Sequence, residues 1–252
     1  MITDPWFYFV AIPAVLVFGI SKGGFGGGLG VLAVPAMALV VSPVQAAGIL
    51  LRLRCVMDIV GIWQYRGRWV RSELTILVPA SLVGIAAGTL LFGYMSVATV
   101  KLVVGLVAVV FTLHYAFHRF ARRSTALSDL PPAAGIAGGA LGGFTSFVAH
   151  AGGPPVKMYL LRRSLDRTSF VATTVLLFAI INYVKLVPYA WLGQLSAGNL
   201  MTSLVLLPFA PAGVLLGVWL HKRVSDRLFF GVVYVLLFLV GARLIADGLG
   251  IA

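Results

Sequence analysis

Apolar runs long enough to cross a bilayer recur along the whole length of this chain. A hydrocarbon core of about 30 Å takes about 20 helical residues. Within it every backbone N–H and C=O must find its partner inside the protein, which leaves helices as the way to thread such runs. The sequence is 60% hydrophobic and 10% charged, with mean hydropathy +1.04, and has no stretch left over for a separate soluble domain. The expected fold class is therefore an all-α polytopic membrane protein. The opening "MITDPWFYF" carries Asp4 and lacks the basic start of a cleavable signal, so the first segment is expected to stay.

The charges serve best as topology markers. A net charge of +12 can mean a nucleic-acid partner, but no soluble basic face exists here to bind one, so none is expected. Twelve of the nineteen Lys and Arg residues fall in four short clusters: Arg66/Arg68/Arg71, Arg119/Arg122/Arg123, Arg162/Arg163/Arg167 and Lys222/Arg223/Arg227. Positive loops face the cytoplasm. The uncharged connections at 93–96 and 189–199 then face outside. The single cysteine, Cys55, excludes an intramolecular disulfide and a Cys-based metal cluster. No metal or cofactor is expected.

The chain also repeats itself. "PASLVGIAAG" holds Pro79, Gly84 and Gly88, and "PFAPAGVLLG" holds Pro208, Gly213 and Gly217, each pair 129 residues apart. Ser96 and Ser225 keep that offset, while Ser21/Ser146, Gly27/Gly152 and Gly28/Gly153 are offset by 125. The four-residue difference fits a longer outer loop in the second half. The alternative is two unrelated helices with small packing faces.

Tracing sidedness through the basic clusters divides the chain into a first repeat (1–118), a cytoplasmic linker (119–130) and a second repeat (131–252). Each repeat is a helical hairpin followed by three spans. The first hairpin pairs 6–20 with 29–41 and enters from outside, ahead of spans 49–64, 74–92 and 97–117. The second pairs 131–148 with 154–161 and enters from inside, ahead of spans 169–189, 200–220 and 228–246. The two repeats are thus inverted in topology, as in many secondary transporters, with both termini outside. The second hairpin is expected to be re-entrant; the first is either re-entrant or two nearly full spans.

This scheme accounts for "SKGGFGGGLG" at 21–30, with six glycines in ten residues. Open backbone at membrane depth is tolerated only where protein buries it or a watery cavity solvates it. The glycine run is read as the tip of the outer hairpin and "TSFVAHAGGPP" (145–155) as the tip of the inner one. Inverted tips meet near the midplane, where such transporters bind substrate. Helices starting just after the tips would aim free N–H groups and positive dipole ends there, which suits an anion.

The segments "GGFGGGLG" followed by Pro35, "MDIVGIWQYRG" and "GGFTSFVAHAGGPPVKMYLL" resemble the TauE/SafE family of anion exporters over essentially the whole chain. The resemblance implies a multi-pass transporter of the bacterial inner membrane. It would export sulfite, sulfoacetate or a related organosulfur anion from the cytoplasm. His150 stands where a small polar residue such as Asn is expected, and Arg52 and Arg54 are unusual in their helix.

Candidate substrate-binding residues cluster at the tips: Ser21, Lys22, Gly26, Gly27 and Gly28 in the first, and Thr145, Ser146, His150, Gly152 and Gly153 in the second. An intramembrane cation such as Lys22 is expensive and usually functional, unless it snorkels from a helix end. The hydroxyls of Ser21, Thr145 and Ser146 either reach anion oxygens or bond back to the i−4 carbonyl. His150 either pairs with an anion and titrates or sits neutral against backbone. Arg54 and Asp58, at i and i+4, can pair on one helix face. Arg52 lies roughly 200° around that helix from Arg54, so only one of them can present a guanidinium fork to a cavity. Asp58 and His150 are the proton-coupling candidates.

The "GFGGGLG" spacing follows a hydrophobic helix and no Walker lysine comes after it, so a nucleotide site and an ATP-driven pump are not expected. No HExxH motif occurs, and no Ser/His pair has a supporting acid, so an enzyme is not expected either. Composition leaves carrier, channel and importer open for the same anions, and leaves oligomeric state undetermined.

Overall fold

A computed structural model of the chain describes residues 2–24, 31–120, 130–221 and 226–251. These residues form helices α1 (Pro5–Gly24), α2 (Ala33–Met37), α3 (Pro43–Tyr65), α4 (Arg71–Phe92), α5 (Val97–Phe120), α6 (Pro132–Ala149), α7 (Gly153–Leu160), α8 (Arg167–Trp191), α9 (Ala197–Leu206), α10 (Phe209–His221) and α11 (Asp226–Leu249). No strand occurs among them. The starts follow local chemistry. Ser42 caps α3 by accepting from the Gln45 N–H, with Pro43 next. Asp166 caps α8 through the N–H groups of Thr168 and Ser169. Both residue types satisfy orphan donors at helix N-termini.

Among the described residues six helices are long and apolar enough to cross a membrane, and the bent pair α9–α10, taken as one span, makes a seventh. α3, with 23 residues, has the length but carries Arg52, Arg54 and Asp58. Where the sequence suggested one span at 200–220, the chain bends by 40° between α9 and α10. Pro208 and Pro211 together remove two backbone donors within four residues; Pro79, the lone proline at the matching place, stays inside an unbroken α4. The second hairpin is also uneven. α6, expected at 131–148, runs over Pro132–Ala149 and has the length and composition of a span. α7, with eight residues, is about 12 Å long and cannot cross alone.

An apolar core that includes Phe7, Leu50 and Leu77 is combined with an apolar surface and a few buried charges. Large apolar side chains such as Phe9, Ile59, Trp63, Val83, Leu141 and Leu215 are exposed, while Ser21, Arg54, Asp58, Asn182 and Lys185 are buried. α4 packs on α6, α1 on α10, α5 on α11 and α3 on α8. Glycine makes the first two pairings close. A Cβ on Gly84 of α4 would collide with Ala140 O and Phe144 N of α6, and one on Gly213 of α10 would meet Leu16 O of α1 at 2.8 Å. Small residues that let backbones touch are the usual device of helix packing in lipid.

Candidate functional site

The middle of the molecule holds a buried cluster of ionisable and polar side chains from four helices. α3 and α8 contribute from their central turns, and α1 and α6 from their C-terminal ends. The cluster divides into two neighbourhoods.

In the first, Lys22 of α1 reaches Asp58 of α3, with Nζ 2.5 Å from Oδ1. The other carboxylate oxygen accepts from Asn182 Nδ2 of α8 at 2.7 Å. Asp58 is 1% exposed, so its charge is balanced inside the protein. The i, i+4 pairing of Arg54 with Asp58 anticipated from sequence is replaced among the described residues by this one. Arg54 donates to His150 O at 3.2 Å and lies 4.4 Å over the Phe18 ring.

In the second neighbourhood the C-terminus of α6 turns sharply. His150 takes a left-handed conformation with φ 52°, and its N–H returns to Ser146 O while Ala151 N–H returns to Thr145 O. Such a turn closes many helices, and Gly or Asn is its usual occupant, which explains why Asn is expected at this position. The turn directs the imidazole inward. Its Nε2 lies 2.9 Å from Ala47 O, an acceptor only, so Nε2 carries a hydrogen. Its Nδ1 lies 2.8 Å from Lys185 Nζ. Lys185 also donates to Ser146 O at 2.9 Å and to Ser146 Oγ at 3.0 Å. No carboxylate pairs with Lys185 among the described residues. Tyr189 closes this side, its hydroxyl on Phe147 O at 2.6 Å and its ring stacked near that of His150.

Of the residues singled out by sequence, Lys22, Arg54, Asp58, Ser146 and His150 come together, and Ser21 is fully buried near them at the end of α1. Thr145 bonds to Leu141 O at 2.7 Å and to Ala151 O at 3.2 Å, holding the turn. Gly152 is crowded, since a Cβ would meet Ser146 Cβ at 2.8 Å and Phe178 at 2.9 Å. Around Gly153 no atom of the described residues lies within 4 Å of a Cβ placed there. Arg52 lies apart, donating to Ser196 O ahead of α9 at 3.3 Å. Gly26, Gly27 and Gly28 lie outside the described residues. The first turn of α7 holds Pro154 and Pro155, which have no N–H; the helix end there offers fewer donors than expected, and the cationic side chains stand out the more.

Three residues of the cluster escaped the sequence reading: Lys185, Asn182 and Tyr189, the last expected in the outer connection at 189–199 and found buried in α8. Lys185 sits in "NYVKLVPY", a lone cation in the middle of an apolar span, and Asn182 lies one turn before it. That isolation was the available signal, on the same argument that singled out Lys22. No group of residues able to hold a metal ion occurs among the described residues.

An apolar exterior around a buried, charged interior defines a polytopic helical membrane protein. The family is narrower. The model of the family described as Sulfite exporter TauE/SafE matches residues 11–244, nearly the whole chain, and the chain belongs to that family. Neither the curated proteins nor the solved structures compared with it gave a match.

Proposed function

We propose that this chain is a secondary transporter that exports a small organosulfur anion, such as sulfite or sulfoacetate, across the bacterial inner membrane by alternating access. The observation that carries the reading is the buried cluster, in which Lys185 and His150 rest on neutral partners beside Arg54 and the Lys22–Asp58 pair. An anion cannot shed water at membrane depth without compensation, and helix termini supply only about 0.3–1 kcal/mol each at exposed sites. Formal cations meet that requirement. Ser21, Ser146 and the tip glycines, Gly26, Gly27, Gly28, Gly152 and Gly153, complete the proposed site by hydroxyl and backbone approach.

The proposed architecture is two inverted repeats, 1–118 and 131–252, joined by a cytoplasmic linker, with both termini outside. Exchange of partners between the halves supports it. α4 of the first repeat packs on α6, which opens the second; α10 of the second packs on α1, which opens the first. Gly84 and Gly213, 129 residues apart, make the two close approaches, against positions 140/144 and 16/19. α5 with α11 and α3 with α8 are each a match of equivalents.

Reconstituted vesicles test the transport reading. Labelled sulfite and sulfoacetate should move saturably, with chloride slower. Equal, unsaturable flux of all three would favour a channel for the same anions. Cysteines placed singly near each terminus, in a Cys55→Ser background, should label from outside only. Termini on opposite sides would overturn the inverted scheme.

A further inference from the structure

The 2.8 Å separation of Lys185 Nζ from His150 Nδ1 has a consequence for charge. Two nitrogens at hydrogen-bond distance hold one proton between them. His150 Nε2 already commits its hydrogen to Ala47 O, and Lys185 spends its other contacts on Ser146 O and Oγ. Nδ1 also lies 3.2 Å from Ser146 O, but a second proton there would set two donors against each other at 2.8 Å, so the closed pair favours one positive charge, whereas the same two residues drawn apart can hold two. Lys185 is fully buried and His150 is 3% exposed, so no bulk water stands between them. The other ionisable groups facing the pair are Arg54, Cys55 and Asp58 from α3, Tyr189 from α8 and, through Asp58, Lys22 from α1. The one carboxylate in this set is already held by Lys22 and Asn182.

We propose that Lys185 and His150 are a proton-sharing pair, and that an anion entering between them draws a second proton onto it, so that each anion moves together with one proton. This rests on the reading of the cluster as the anion site. No covalent bond between heavy atoms changes. The N–H···N contact opens, Lys185 as ammonium and His150 as imidazolium each donate to the anion, and the added proton comes from water on the side to which the site is open. When the anion leaves on the other side, the nitrogens close again and the second proton goes to water there. The anion's charge is thereby carried across in compensated form, which removes most of the cost of desolvating it. The Lys22–Asp58 pair, already neutral, keeps its proton count throughout.

The test is titration calorimetry of the purified protein with sulfoacetate from pH 6 to 8, run in two buffers of different ionisation heat. Sulfoacetate stays fully ionised in that range, so every proton counted is the protein's. Wild type should take up roughly one proton per anion, and affinity should fall by up to about tenfold per pH unit as pH rises, the slope that linkage assigns to one proton. His150→Asn keeps a residue that tolerates the left-handed turn and removes the ring; Lys185→Met removes the partner nitrogen. In His150→Asn the proton uptake should vanish and any remaining affinity should be flat with pH, whereas Lys185→Met should weaken binding while the imidazole still takes up its proton. A purely structural role for His150 would lower affinity and leave the slope intact. Wild-type binding without proton uptake, or full uptake retained in His150→Asn, overturns the proposal and leaves the anion site standing. Failure of wild type to bind both sulfoacetate and sulfite overturns the site itself.

Discussion

Two lysines of the cluster, the partly buried Lys22 and the fully buried Lys185, stand in opposite electrostatic situations. Lys22 is held by a carboxylate, and the carboxylate by Asn182, so that neighbourhood is closed and neutral. Lys185 is held by a carbonyl, a hydroxyl and an imidazole, none of which cancels its charge. A buried ion pair contributes little net stability, but losing one partner strands the other. A buried cation on neutral acceptors is costly to keep, and such groups in membranes mark functional paths. The contrast separates a structural brace from a place where an anion can be received.

The comparison breaks most visibly through Asp58. Asp58→Asn should destabilise the folded protein by about 3–5 kcal/mol, the cost of leaving a buried partner charge uncompensated, read as a lowered unfolding midpoint in detergent. The double variant Lys22→Met/Asp58→Leu should recover most of that loss. A double variant as unstable as the single would mean that the two side chains hold the fold in some way other than through their mutual charge.

The same double variant sharpens the functional side. Removing a neutral pair should leave anion affinity within about threefold, whereas Lys185→Met should weaken it by about 1.5–3 kcal/mol, the range for hydrogen bonds to charged groups. Lys22→Gln alone is a poor comparison, because it unmasks Asp58 and repels the anion. Isothermal binding of sulfite and sulfoacetate decides the matter; equal losses in the double variant and in Lys185→Met would erase the distinction drawn here.

A smaller effect separates neighbouring glycines at the inner tip. Gly152→Ala inserts a methyl against Ser146 Cβ and Phe178, and overpacking of this kind costs about 1–3 kcal/mol. Gly153→Ala meets nothing within 4 Å among the described residues, so stability should change by less than about 0.5 kcal/mol. Thermal unfolding of the two variants side by side checks the placement of the turn.

Much of the helix layout was legible from the sequence. Apolar length, basic loops and proline frames gave α4, α5 and α8 within a few residues, because a helix in lipid must satisfy its own backbone and announces itself by composition. The 40° bend at Pro208 was harder to read, since Pro79 in the matching frame bends nothing into two helices; the extra Pro211 is the visible difference. The cluster was legible in part. Lys22, Arg54, Asp58, Ser146 and His150 could be named because charge and open backbone at membrane depth demand an explanation.

The sequence by itself determined that this chain has spans to cross a membrane and that Lys22, Arg54 and Asp58 take charge into it. It could not decide who pairs with whom. Arg54 and Asp58 are neighbours at i, i+4, yet Asp58 takes Lys22 from 36 residues away and Asn182 from 124 away. Lys185 finds His150 across 35 residues. Local spacing fixes which side chains share a helix face, while the order in which helices stack fixes which faces meet. In a low-dielectric interior a charge settles on whichever partner that stacking brings within reach.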